Sequence, residues 1–291
     1  SALGPSPMAM KAYIKAAQEL HRYPDPTYNK LRETIGQKFD IPSDQIICGV
    51  GSDEILKLAC RAFISPGDEG LYVAHSFSMY PIAIKSVGGV PIEVADNNYT
   101  TDVDNILAAL NERTKLIFIA NPNNPTGTYL PMAEIERLWK NIPKHVLLVL
   151  DAAYAEFINR QDYDAGIELV NKSKNVLMTR TFSKLYGLAA LRLGWGYACK
   201  ELATTLDKLR DPFNVPSSAQ AAGVAALNDT AFQNKAFEHN DRWRCWLEKE
   251  LISLGLTVIP SSTNFILFRF DNPDKSATYA NDFLTKHGYI L

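Results

Sequence analysis

The chain has 291 residues, of which 46% are hydrophobic and 21% charged, and its formal net charge is −2. That near-neutral balance gives no electrostatic basis for nucleic acid or an anionic membrane as a partner, and no apolar run reaches the ~18 residues of a membrane span. The length predicts one large domain and a smaller one.

In chain order, Pro7–Leu20 reads as one helix, with Pro at its start and apolar residues at helical spacing. Strand-like runs follow at Ile46–Val50, Leu71–Ala74, Pro91–Val94, Leu116–Ala120, His145–Leu150, Val176–Thr181 and Leu193–Ala198. Helical patterns lie between most of them, at Asp53–Ile64, Met79–Val87, Asp102–Leu110, Met132–Asn141 and Ala165–Lys172. The alternation predicts an α/β fold, a mostly parallel sheet sandwiched by helices. The unbroken run Val146-Leu147-Leu148-Val149-Leu150 suits a central strand buried on both faces. From about Glu201 long helices dominate through Leu254, followed by strands at Leu256–Ile259 and Asn264–Phe270 and a helix at Ser276–His287. This predicts a smaller α+β domain. The division expected is an arm over 1–22 packing with the small domain, a large ligand-binding domain over 23–215, and linking helices plus part of a small domain over 216–291. Gly288-Tyr289-Ile290-Leu291 reads as a strand cut off in mid-element, so the natural chain is expected to continue.

The cysteines, Cys48, Cys60, Cys199 and Cys245, form no C-x-x-C pair, which predicts reduced thiols in a cytoplasmic protein. The dispersed histidines include no pair at helical ligand spacing, so no metal site is expected.

In an open parallel sheet, ligands bind beyond the carboxyl ends of the strands, and polar residues collect there in this sequence. Lys184 follows the run Val176–Thr181, with small or apolar residues filling most of the gap to Arg192. A lysine so placed suits an amine held in a cleft to form a Schiff base with a carbonyl cofactor. Asp151 ends the central run, where a buried carboxylate needs a cationic partner such as a protonated pyridine nitrogen; an Asp capping the next turn explains it equally. Gly51-Ser52-Asp53-Glu54 turns into a helix whose N–H groups favour an anion, with Arg192, Thr181 and Ser183 as companions for a phosphate; on this segment alone an ordinary Ser cap is the plainer reading. Asn124, in a Pro-punctuated turn, and Tyr154 could each donate to a ring oxygen, or serve as turn and core residues. Phe77 could stack on a planar ligand or simply pack in the core.

Together these residues resemble the fold-type I enzymes that use pyridoxal 5′-phosphate, within them the class I/II aminotransferases, and among those the histidinol-phosphate aminotransferases. The matching stretches are Leu3-Gly4-Pro5-Ser6-Pro7, Arg22-Tyr23-Pro24-Asp25-Pro26, Gly51-Ser52-Asp53-Glu54, Asn123-Asn124-Pro125-Thr126-Gly127, Asp151-Ala152-Ala153-Tyr154-Ala155-Glu156-Phe157 and Thr181 to Trp195, in the family's order. The resemblance implies that Lys184 carries the cofactor and moves the substrate's proton, and that Asp151 pairs with the ring nitrogen. It implies that Asn124 and Tyr154 contact the ring oxygen and that Phe77 stacks on the ring. Ser52, Asp53, Thr181, Ser183 and Arg192 would hold the phosphate. Tyr23 would reach the phosphate of the neighbouring subunit, so a homodimer is implied. The substrates implied are histidinol phosphate and glutamate/2-oxoglutarate. Phe77 stands where many relatives have Tyr, Ala152 where many have Glu and Ala190 where many have Gly; neither alanine removes a catalytic group. Relatives are expected to carry their substrate-gripping arginines beyond Leu291. The same cofactor motifs would also serve an aromatic amino acid aminotransferase, a decarboxylase resembling threonine-phosphate decarboxylase, or a non-catalytic sensor built on the fold.

Overall fold

The computed structural model describes residues 1–271 and 276–290. Helix α1 (Pro7–Ala16) starts where the Ser6 hydroxyl accepts from the Ala9 N–H at 3.1 Å. Helix α2 (Asn29–Phe39) follows, then β1 (Ile46–Gly49), α3 (Ser52–Phe63), β2 (Glu69–Val73), α4 (Met79–Lys85), β3 (Val90–Val94), α5 (Val103–Ala108) and β4 (Thr114–Ala120). Next come α6 (Met132–Asn141), β5 (Leu147–Asp151), α7 (Ile167–Lys172), β6 (Val176–Thr181), β7 (Gly194–Ala198) and α8 (Lys200–Leu209). The chain ends in α9 (Ser217–Asn228), the 24-residue α10 (Thr230–Ser253), the strands β8 (Thr257–Ile259) and β9 (Leu267–Arg269), and α11 (Ala277–Lys286).

The seven-stranded sheet has the order β1-β7-β6-β5-β4-β2-β3. Neighbours pair in parallel except at β7, which is antiparallel to both β1 and β6. The reason lies in the connection. Phe182–Leu193 stays at one edge of the sheet with a single 3-10 turn at Ala189–Leu191, and never crosses a face as a parallel return must. Strand β5 is buried on both faces, as its apolar run requires. Leu148 and Leu150 enter one core layer with Ile117 and Ile119, while Leu147 and Val149 enter the other with Leu116 and Phe118.

Helix α1 packs against α9, and α2 packs against α9 and β1. The sequence pattern gave no helix at α2, because only Leu31, Ile35 and Phe39 carry its apolar stripe among polar residues. Its start is held from upstream, where the Asp25 carboxylate accepts from the Asn29 N–H at 3.0 Å. The small α+β part pairs β8 with β9 antiparallel, Val258 opposite Phe268. The expected strand at Gly288 does not form. Gly288 at φ 84° closes α11 instead, with Tyr289 N–H bonded to the Leu284 carbonyl and Gly288 N–H to that of Thr285, the left-handed glycine stop of a helix. Tyr289 and Ile290 run on exposed, and Leu291 lies outside the described residues. Among the described residues no helix is long and apolar enough to cross a membrane.

Candidate active site

Strands β1, β4, β5 and β6 all end at one edge of the sheet, and the reversed β7 begins there. One cleft at that edge is lined by Ser52, Asp53, Phe77, Asn124, Asp151, Tyr154, Thr181, Ser183, Lys184 and Arg192. Every residue expected at the ligand from the sequence is therefore brought together, except Tyr23. Its side chain is 83% exposed and lies against the Phe213 ring, with centroids 4.8 Å apart.

Asp151 forms the floor. It is 5% exposed, and its carboxylate accepts from the Tyr80 hydroxyl at 2.9 Å and the Thr179 hydroxyl at 3.1 Å. Burial pushes its carboxyl from the ordinary 3.8 up to about 6, even though both hydrogen bonds favour the charged form. Tyr80 stacks flat on Phe118, centroids 4.6 Å apart, and meets Phe77 edge-on. Burial, then the charge of Asp151, holds the Tyr80 hydroxyl well above its ordinary value, so it stays a donor. Sequence reading missed both partners. Thr179 was findable, since it lies two residues before Thr181 and strand side chains on one face recur every second residue. Tyr80 left no local signal, because it comes from a helix 71 positions away in the chain.

The opposite end of the cleft is an anion cradle. Gly51, at φ 82°, delivers the chain into α3, whose first N–H groups point outward. Arg192, itself left-handed at φ 49°, donates to Asp53 at 3.0 Å and to the Ala189 carbonyl at 3.0 Å. Asp53 thus acts on Arg192 with its carboxylate, and only its backbone N–H is available to an anion. Thr181 donates to the Ser183 hydroxyl at 3.0 Å and accepts from the Ser183 N–H. A Cβ at Gly194 would lie 2.2 Å from the Ser52 nitrogen, and one at Gly51 would lie 2.6 Å from the Arg192 guanidinium. Glycine is required at 194 by this close approach to backbone, and at 51 by the left-handed φ of 82°.

Lys184 spans the space between. Its ammonium lies 5.0 Å from the Tyr154 ring centroid, and Tyr154 in turn meets Phe265 edge-on. The turn that presents Asn124 is tied down on both sides. Asn121 exchanges hydrogen bonds with the Leu130 backbone, and Asn123 donates to the His75 carbonyl and to Thr126. The arrangement suits an elongated ligand with an anionic group at one end, a planar body, and a cationic ring atom facing Asp151. A buried carboxylate with no cationic partner of its own, and a glycine-lined anion cradle, complement such a ligand at its two ends.

Three comparisons agree. The family model for aminotransferase class I and II matches residues 1–291. The chain is 52% identical over its whole length to the histidinol-phosphate aminotransferase of Paramagnetospirillum magneticum, of which it covers 80%. It is 47% identical, over 99% of its length and 79% of the relative's, to that of Rhodopseudomonas palustris. The crystal structure of histidinol-phosphate aminotransferase from Sinorhizobium meliloti in complex with pyridoxal-5′-phosphate superposes with a TM-score of 0.94 at 29% identity, covering all of this chain and 79% of that one.

Proposed function

The chain belongs to the class I and II aminotransferases, and from that premise we propose that it exchanges an amino group between histidinol phosphate and 2-oxoglutarate, with pyridoxal 5′-phosphate as cofactor. The observation that carries this reading is the meeting of Lys184, Asp151 and Arg192 in one cleft, in a chain about half identical to enzymes of that name.

When bound, the cofactor supplies an aldehyde and a cationic ring that accepts electron density from the substrate's α-carbon. The Lys184 amine would hold the aldehyde end, and its nitrogen would move the proton at the substrate's amine-bearing carbon. Asp151 keeps the proton on the ring nitrogen, while Tyr80 and Thr179 fix the direction of its carboxylate. Phe77 would cover the ring, and Asn124 and Tyr154, which line the same cleft, would donate to its oxygen. Ser52, Thr181, Ser183 and Arg192 bind the phosphate through their N–H, hydroxyl and guanidinium groups, and Asp53 steadies Arg192. Offered equal concentrations with 2-oxoglutarate, histidinol phosphate is expected to exceed phenylalanine and tyrosine in kcat/KM by at least about tenfold. Equal or inverted rates would instead assign an aromatic amino acid aminotransferase.

We infer further that the working unit is a homodimer in which Tyr23 of one copy completes the phosphate site of the other. Its exposure and its position outside its own cleft support this. Tyr23→Phe is expected to weaken cofactor binding about 10-fold or more, the worth of one hydrogen bond to a charged group. Mixing Tyr23→Phe with Lys184→Ala subunits should restore tight cofactor binding and turnover at one site per hybrid. A mixture no better than its components would place Tyr23 outside the neighbour's site.

A further inference from the structure

Beneath the cleft, on the other face of β6, lies an ion pair that the chemistry above does not use. Arg180 stands between Thr179 and Thr181, so it points away from the ligand side of the sheet. Its guanidinium meets the Glu156 carboxylate at 2.8 Å, and the two side chains are only 7% and 8% exposed. The Phe39 and Trp195 rings flank the guanidinium, at 4.6 and 5.8 Å from their centroids. Both carboxylate oxygens of Glu156 and the Nε of Arg180 are buried without a well-aligned hydrogen-bond partner. The attraction is therefore one of charge, without the paired fork that makes such contacts strongest. An ion pair buried this way contributes little net stability, and well-packed apolar side chains often serve as well. Its use lies elsewhere.

The chain position of each member indicates that use. Glu156 is two residues beyond Tyr154, on a 3-10 turn at Ala155–Phe157. Arg180 is adjacent to Thr181 and four residues before Lys184. Tyr186, buried and two residues beyond Lys184, has its hydroxyl pushed up first by burial and then by the charge of Glu156. Tyr163, on the segment between β5 and α7, and Lys38, on α2, also lie within the field of the Glu156 charge, which favours the protonated form of each. The segment bearing Tyr154 and the segment bearing Lys184 are thus joined from below by one charge contact.

We propose that Glu156 and Arg180 are positioning residues, which set the spacing between the Tyr154 ring and the Lys184 amine. The inference rests on the functional reading above for its consequence in catalysis, but the spacing can be probed without the cofactor. The test is the double variant E156M/R180M, which removes both charges and keeps apolar volume. In the holoenzyme, kcat is expected to fall ~10- to 100-fold, the cost of misplacing reacting groups by about an ångström. KM for the amino donor should change little, and the pH midpoint of the cofactor absorbance should move. In the cofactor-free protein, the rate at which an amine-reactive label modifies Lys184, read by peptide mass spectrometry, should change while Tm stays close to that of the wild type. A folded double variant with wild-type kcat, midpoint and labelling would overturn the proposal. If the double swap does not fold, R180K, which keeps the charge but shortens its reach to Glu156 and gives up the guanidinium's seat between the Phe39 and Trp195 rings, takes its place: reduced kcat with altered labelling supports the proposal, and wild-type values overturn it. Altered labelling beside a wild-type protein that transaminates nothing would sink the functional reading and still support the pair's role.

Discussion

Replacing Lys184 with Ala is expected to lower turnover at least ~10³-fold, because one side chain supplies both the covalent anchor and the proton carrier. The protein should remain folded. Lys184 is only partly buried, and its ammonium lies 5.0 Å from the Tyr154 ring centroid, a contact worth about 0.5–1 kcal/mol in a partly solvated setting. The cofactor should still enter, held by the cradle at Ser52, Thr181, Ser183 and Arg192, and should then show the absorbance of a free aldehyde. Two measurements check this, kcat with the preferred donor and the spectrum of the loaded variant. Substantial turnover without Lys184 would remove the basis of the functional assignment.

Asp151→Asn should do two opposite things. In the cofactor-free protein it should stabilise the fold at neutral pH. The Asp151 carboxyl ordinarily titrates at 3.8 and is raised to about 6 in the folded chain, chiefly by burial. The folded state therefore binds this proton more tightly than the unfolded state does. The stabilisation of the protonated form is complete below about pH 4, is lost as pH rises to about 6, and stays lost above that. A shift of about two units corresponds to up to roughly 3 kcal/mol. At pH 7.5 the cofactor-free Asn variant should exceed the wild type by a substantial part of that amount. The rest is spent as the Asn amide nitrogen re-pairs against Tyr80 or Thr179. At pH 4 the two should be nearly equal. In the loaded enzyme the same change should cut kcat ~10²- to 10⁴-fold, because the ring nitrogen loses its counter-charge. Urea unfolding of the cofactor-free pair across pH 4–8 measures the first effect, and an Asn variant with the wild-type pH dependence would contradict it.

The architecture was legible wherever burial writes a simple pattern. β5 could be read as central because all of its residues are apolar up to Asp151, and Met132–Asn141 and Val176–Thr181 were delimited by their own turn residues. The cleft was legible because Lys184, Asp151, Asn124 and Ser52 each follow a strand end, and parallel strands deliver their ends to one edge. What escaped depends on contacts made across long separations. Tyr80 matters only through Asp151, and Arg180 only through Glu156. The start of α2 is fixed by Asp25, outside the helix. The reversal of β7 follows from the path of its connection rather than from the residues of the strand. At Gly288, strand-like composition lost to the backbone freedom of one glycine that ends a helix.

That reversed strand has a consequence for how the protein can vary. Thr181 on β6 sits opposite Gly194 on β7, so the loop between them springs from two adjacent, hydrogen-bonded posts. Lys184 and Arg192 are the jaws of a caliper mounted on those posts, and the loop length sets their gap. An insertion in the loop would change the size of molecule the jaws can span, whereas an insertion between β4 and β5 would leave the gap untouched. The span between the amine and the guanidinium thus depends on the residues that separate one lysine from one arginine, together with the Asp53 contact that holds Arg192.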